Sequence, residues 1–379
     1  MKHLVLLGAG HAHVHVLEGL AARKSSNKPS DVRVTLIAPF DEQLYSGMVP
    51  GFVAGHYTLD ECVIGLKRLI EASGVQFIEG NATRIDADDQ TLHLSNGQTI
   101  AYDVLSLNTG AGIDLEKIEA LMPGARKQAM FVRPMQVFVK LWPQVLALAT
   151  SRPLHLAVVG AGAAGLELAM AAAHTLRGRA NASHAPGSRI TLVTGGLPPA
   201  QSYPPSVQRR VLRALKRLQI TVVEESCVAI NEGELVLGSG AKLPCDVPLL
   251  AIGVHAPGWL ANSGLMLDEK GFLAVDHFQQ SISHPLVFAV GDVASRIDTP
   301  HSRSGVYAVH AGPPLLRNLL AVVGSKSLTP YAVPERTLNL LSCGGRYAIA
   351  AWGKFSVEGA WVWRLKDRID RKFVRRYSD

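Results

Sequence analysis

The chain has 379 residues, 47% of them hydrophobic and 18% charged, with a net charge of +7 and a pI near 9.3. This composition excludes a disordered chain and suits two or three domains with large cores. Four scattered cysteines (Cys62, Cys227, Cys245, Cys343) with no Cys-x-x-Cys pair exclude a zinc ribbon and fit a reducing compartment, and no apolar run reaches the ~18 residues of a membrane span.

From the N-terminus, His3–Leu7 is a short β-favouring run that ends at Gly8-Ala9-Gly10. Because it turns at once into a glycine-rich turn, it reads as a strand, not a signal peptide, and a cytoplasmic location is expected. A helical pattern through Val14, Leu17, Leu20 and Ala21 follows. A polar segment rich in Lys, Ser, Asn and Pro then leads to a second strand, Val32–Ile37. Gly74–Ile78, Thr91–Leu94 and Val104–Leu107 read as further strands. The same grammar then recurs. Leu156–Val159 is a strand, Gly160-Ala161-Gly162-Ala163-Ala164-Gly165 a turn, and a small-residue helix starts at Leu166. A polar loop between Gly178 and Gly187 leads to the strand Arg189–Val193. Leu286–Val290 is a last strand of this kind, ending at Gly291-Asp292. After about Tyr331 come two strand-like runs and a basic aromatic helix.

In a strand-turn-helix of this kind the glycines permit a tight turn, close approach of a pyrophosphate and close helix–strand packing. The helix start offers free N–H groups and a partial positive charge to the phosphates. The second turn is a complete G-x-G-x-x-G, whereas the first has His13 at its third glycine position. Neither second strand ends in the acid that usually holds an adenosine ribose: one ends at Ala38-Pro39, with Asp41 and Glu42 arriving late, the other at Thr194-Gly195. The choice between NADH and NADPH stays open, since Arg209 and Arg210 lie too far downstream to assign. His11, His13 and His15 invite a metal reading, but no Cys or carboxylate cluster accompanies them, and no metal site is expected.

These segments resemble the FAD/NAD(P) pyridine nucleotide reductases, and within them type II NADH dehydrogenases and sulfide:quinone oxidoreductases. GAGHAHV (Gly8–Val14) and YSGMVPGFVAGHY (Tyr45–Tyr57) are similar to the flavoprotein module sometimes fused ahead of selenide, water dikinase, although no kinase sequence follows in the 379 residues. The resemblance implies an α/β fold with two Rossmann-like dinucleotide-binding domains. The FAD domain would be split (1–115 and 266–330), with an NAD(P)H domain (116–265) inserted and a C-terminal segment (331–379) added. It implies that Gly8, Gly10 and His11 meet FAD, together with Ser46, Gly47, Met48, Ala82, Thr109 and Gly110. Gly160, Gly162 and Gly165 would take NADH or NADPH, with Gly253 on the returning strand end. Gly291-Asp292 is similar to the late FAD motif, in which the Asp binds a ribityl hydroxyl. Tyr307 and Ala308 open a helix, starting at Gly305, whose N-terminus would face the flavin and stabilise its reduced, negative form.

The chemistry expected is hydride transfer from nicotinamide to flavin, which the cofactors themselves carry. Glu167 matches the Glu that follows the nucleotide motif of type II NADH dehydrogenases, which makes it the candidate beside the ring junction; its other reading is a first-turn Glu complementing the helix dipole. With no cysteine pair near the flavin, a disulfide acceptor is not expected. A quinone or similar small acceptor remains, although the stretch Val306–Gly312 lacks the Gln of the type II enzymes; Tyr307 or His310 would serve another acceptor or simply pack. The alternatives are a redox module in selenium or sulfur metabolism, and a sulfide-oxidising enzyme using Cys343.

In the last helix Trp361, Leu365, Ile369, Phe373 and Tyr377 recur every fourth residue. Seven basic residues (Arg364, Lys366, Arg368, Arg371, Lys372, Arg375, Arg376) stand against Asp367 and Asp370, a net +5 of the chain's +7. Such a helix fits an anionic membrane surface, as in type II NADH dehydrogenases, and equally fits docking on its own flavin domain or on the second subunit of a homodimer. Nucleic-acid binding is not expected, for no nucleic-acid motif accompanies the charge.

Overall fold

The computed structural model describes residues 1–26, 32–178 and 187–378. Most of the two polar segments expected after the first helix and between Gly178 and Gly187 lies outside the described residues. Strands β1 (Lys2–Leu7), β2 (Val32–Ala38), β3 (Gln76–Glu79) and β4 (Val104–Leu107) form a parallel sheet. The chain then leaves this sheet and builds a second one from β5 (Met130–Phe131), β6 (His155–Val159), β7 (Arg189–Val193), β8 (Thr221–Val223) and β9 (Val247–Leu250), in the order β5-β9-β6-β7-β8. Strand β10 (Val287–Ala289) finally returns to the first sheet beside β4, giving the order β10-β4-β1-β2-β3. The apolar runs of β1, β4 and β10 are almost wholly buried, as parallel strands covered on both faces must be.

Helices α1 (His11–Ser25), α2 (Lys67–Ser73), α3 (Met135–Ser151), α4 (Ala163–Gly178), α5 (Pro205–Arg217), α6 (Gly305–Val323) and α7 (Ala360–Ser378) cover the sheets and the C-terminal segment. Helix α1 crosses α6 closely where Gly19 meets Leu316 and Gly312 meets His15. Register then places the site. Leu7 lies level with Ile37 and Leu107, and Ala289 level with Leu107, so the segments after β1, β2, β4 and β10 emerge along one edge.

Three features differ from the sequence reading. Helix α2 was not expected; it stops at Gly74, whose φ of +70° is a left-handed helix cap, so β3 starts at Gln76. The last segment holds three antiparallel strands, not two: β11 (Leu338–Ser342), β12 (Ala348–Trp352) and β13 (Phe355–Gly359). A turn through Gly353-Lys354 separates the last two without breaking their apolar pattern. Helix α7, finally, docks along a different face, which takes in only the Phe373–Tyr377 end of the apolar stripe. It buries Val362, Trp363, Lys366, Asp370, Val374 and Tyr377, and leaves Trp361, Leu365 and Ile369 exposed.

Candidate functional site

A cavity of about 630 Å³ opens at the edge where β1, β2, β4 and β10 end, a volume within the range of small-molecule and cofactor sites. Of the residues expected on the flavin side, Gly8, Gly10, His11, Ser46, Ala82, Thr109, Gly110, Asp292 and Ala308 line it. Gly47 and Met48 stand behind Ser46, Met48 fully buried. Gly291 turns the chain beside Asn108 with φ +74°. Tyr307 points elsewhere, stacked on His301 with 4.3 Å between ring centroids.

The first turn is built without its third glycine. The buried His13 lies between helix and sheet, with Nδ1 hydrogen-bonded to the Gly8 carbonyl and Nε2 to the Ser106 hydroxyl at 2.9 Å. Nδ1 must therefore carry the proton, and Nε2 accepts from Ser106. Asn108 ties the turn together: its Oδ1 accepts from the Ala12 and His13 N–H groups (3.1 and 3.2 Å), and its Nδ2 donates to the Val290 carbonyl at 2.9 Å. A Cβ on Gly8 would lie 2.6 Å from Thr109 Cα, and Gly8 has φ +86°, so both space and backbone demand glycine there.

Beside it, the Gln43 amide is oriented so that its oxygen accepts from His11 Nδ1 and from the His11 N–H (3.0 and 3.1 Å). That leaves His11 Nε2 as a buried acceptor with no partner among the described residues, and Ser304 Oγ at the start of α6 is in the same position. Asp292 receives Arg133 Nη2 at 3.0 Å, while Arg303 lies over the Phe272 ring at 3.4 Å and donates to the Asp292 carbonyl. Glycine cradle, two helix starts, unmet polar atoms and an acid beside a cation together suit a phosphate- and hydroxyl-rich ligand such as FAD.

Burial lowers the pKa of both His11 and His13 from 6.5 to about 4. A neutral buried histidine stabilises the fold above the unfolded pKa and loses that contribution as pH falls from about 6.5 towards 4. His13, buried and outside the cavity lining, is expected to contribute roughly 3 kcal/mol across this window. Denaturant titrations at a series of pH values should show stability declining below pH 6.5, with a shallower decline in a His13→Gln variant; an equal slope would contradict this assignment.

The second glycine turn sits between β6 and α4, where Gly160 (φ +115°) and Gly165 press against Ala251, just ahead of Gly253. Gly162 and Ala164 are exposed, so the start of α4 is open to solvent. Glu167, one turn on, faces away from this opening. Its Oε1 accepts the Ser342 N–H at 2.7 Å, and enclosure of the carboxylate raises its pKa to about 7 against the opposing pull of Lys366 and Ser342. Lys366 in turn donates to the Gly47 carbonyl (2.7 Å) and to Asp370 (2.6 Å), and the Tyr45 hydroxyl reaches Asp370 at 3.3 Å. The C-terminal segment thus meets both nucleotide-binding halves, Gly47 through Lys366 of α7 and Glu167 through Ser342 of β11. Sequence reasoning had counted Lys366 only as surface charge and had not singled out Arg133 or Gln43.

All four cysteines are buried, and burial raises the Cys343 thiol to about 12. Its Sγ donates to the Leu341 carbonyl. Among the described residues no group of three or more His, Cys, Asp or Glu could hold a metal ion.

The family model for pyridine nucleotide-disulphide oxidoreductases matches residues 2–312. The chain is 26% identical to the NADH dehydrogenase-like protein Rv1812c of Mycobacterium tuberculosis, over 99% of this chain and 94% of that protein. Its fold is similar to the sulfide:quinone oxidoreductase of Aquifex aeolicus (TM-score 0.80, 16% identity, 100% of this chain and 92% of that one). It is also similar to NDH2 from Plasmodium falciparum in complex with NADH (TM-score 0.78, 14% identity, 100% and 99%).

Proposed function

Because this chain belongs to the pyridine nucleotide-disulphide oxidoreductase family, whose members use FAD and NAD(P)H, we propose that it is a dehydrogenase passing electrons from NADH or NADPH to a quinone or a similar small acceptor. FAD, when bound, supplies the hydride acceptance and onward electron transfer. The observation that carries the reading is the cavity of about 630 Å³ lined by Gly8, Gly10, Thr109, Gly110 and Asp292, together with a second strand-to-helix glycine turn, Gly160–Gly165, on the other sheet. Divisions after residues 115, 265 and 330 fit this reading.

The chain's own residues have definable tasks. The α1 start and Arg133 offset phosphate charge. Asp292 would accept a sugar hydroxyl, and the α6 start, at Gly305 and Ala308, would stabilise negative charge on the bound cofactor. Glu167, with its pKa raised to about 7 by burial, can hold or release a proton at its contact with the Ser342 N–H, in the packing between the second half and the C-terminal segment. The buried thiol of Cys343 is protonated at neutral pH and poorly suited to sulfide oxidation. Flavin absorbance is expected to bleach when the holoprotein is mixed anaerobically with NADH or NADPH, and to return on adding a soluble quinone. A purified protein that holds no flavin after FAD reconstitution, or flavin that neither nucleotide reduces, would refute the proposal.

Membrane contact belongs to the same reading. The acids of α7 turn inward, Asp370 to Lys366 and Asp367 to Tyr57 and Arg371, so the outer face carries Arg364, Arg368 and Lys372 around Trp361, Leu365 and Ile369. The β12–β13 turn also presents Trp352, Lys354 and the 77% exposed Phe355 to solvent. No helix of the described residues is long and apolar enough to cross a membrane. We place this face on the anionic cytoplasmic surface of a membrane, each basic residue contributing about 1 kcal/mol. Sedimentation with vesicles containing phosphatidylglycerol should capture the protein, and an Arg364→Glu/Arg368→Glu/Lys372→Glu variant should stay in solution. Absence of capture at low salt would rule the contact out.

A further inference from the structure

The ends of β7 and β8 lie side by side at the edge where a nucleotide on the Gly160–Gly165 turn would rest its adenosine ribose. The Thr194 N–H donates to the Val223 carbonyl at 3.0 Å and the Gly195 N–H to the Glu225 carbonyl at 2.9 Å. Gly195 and Gly196 have φ +77° and +82°, and a Cβ on either would meet nothing within 4 Å, so they form an open shelf. The Thr194 hydroxyl at the back of the shelf is buried and has no partner among the described residues. Glu224 is exposed beside it. The Glu225 carboxylate accepts the Ser239 N–H at 3.0 Å, and the Ser239 hydroxyl and N–H hold its carboxyl below the usual range, so it stays ionised.

No Lys or Arg occurs in Gly160–Gly165, Thr194–Tyr203 or Val223–Ser226, the three segments that border the shelf. Of the arginines on α5, Arg210 and Arg213 are drawn away to Glu358 of β13. An adenosine 2′-hydroxyl could donate a hydrogen bond on such a wall. A 2′-phosphate, carrying roughly two negative charges, would meet the Glu224 and Glu225 carboxylates and no Lys or Arg within these three segments.

We infer that the internal site selects NADH over NADPH through Glu224 and Glu225, so that the acid absent from the end of β7 is supplied by the neighbouring strand end. This rests on the reading of the internal turn as a nicotinamide nucleotide site. Binding of NAD⁺ and NADP⁺ to the FAD-loaded protein, measured by calorimetry at low and high salt, tests it. NAD⁺ is expected to bind about 10- to 100-fold more tightly at low salt, the gap narrowing as salt screens the repulsion. A Glu224→Gln/Glu225→Gln double variant should shrink the gap by improving NADP⁺ binding. Glu224→Arg, at an exposed position, should do the same without touching the Ser239 contact. NADP⁺ binding as tightly as NAD⁺, or a preference unchanged in both variants, overturns the inference alone. Binding of neither nucleotide overturns the functional reading along with it.

Discussion

Protein carrying Asp292→Ala is expected to leave purification almost colourless. The carboxylate closes the cavity at the end of β10, and Gly291, with its positive φ, aims it inward. A carboxylate accepting from a sugar hydroxyl makes a charge-assisted hydrogen bond of about 1.5–3 kcal/mol. Removing it also strands the Arg133 guanidinium, which reaches Asp292 at 3.0 Å and, among the described residues, otherwise bonds only the Ala111 carbonyl, at 3.3 Å. FAD affinity, followed by quenching of flavin fluorescence, should therefore fall roughly 10- to 100-fold. Asp292→Asn, which keeps the shape and an acceptor oxygen, should lose less. Wild-type retention of flavin by the alanine variant would remove Asp292 from the cofactor site.

Lys366→Met is expected to destabilise the protein strongly. The Lys366 and Asp370 side chains are only 9% and 6% exposed, a pair taken almost wholly out of water. Such pairs add little net stability, but breaking one by deleting a single partner leaves an uncompensated buried charge and costs about 3–5 kcal/mol. Asp370 would retain only the longer Tyr45 contact, and the Gly47 carbonyl would lose its donor. Denaturant unfolding should show the loss as a lower midpoint at an unchanged m-value. The double variant Lys366→Met/Asp370→Leu should recover most of it, because it removes both charges and keeps the volume. A single variant as stable as the wild type would show that the pair is not buried as described.

Much of the fold was legible because its signals are local. The two glycine turns, the strands around them and the start of α6 at Gly305 all follow from short runs of residues. His13 was seen as a gap in the motif; that its imidazole fills the space between Gly8 and Ser106 depends on β4, which no local pattern reports. Arg133 and Lys366 were out of reach for the same reason, their partners lying 159 and 319 positions away. Helix α7 misled for a different reason. A spacing of four residues is met by the Trp361-Leu365-Ile369 row and equally by the Val362-Lys366-Asp370-Val374 row. The second row looks polar until its two charges are placed against each other, and so the row from Trp361, which meets the protein only at Phe373 and Tyr377, was taken for the stripe.

The excursion of the chain between β4 and β10 has a consequence for biosynthesis. Every strand of the second sheet, from β5 to β9, leaves the ribosome before β10 exists, so that sheet can assemble while the first is still missing its edge. The Val290 carbonyl that receives Asn108, and Asp292 two residues later, emerge after that. A nascent chain is thus able to close its nicotinamide half while its flavin half waits as an unfinished sheet with an open β4 edge. Loading of the flavin becomes a late event, and ribosomal pausing or truncation ahead of β10 exposes an edge prone to wrong pairing.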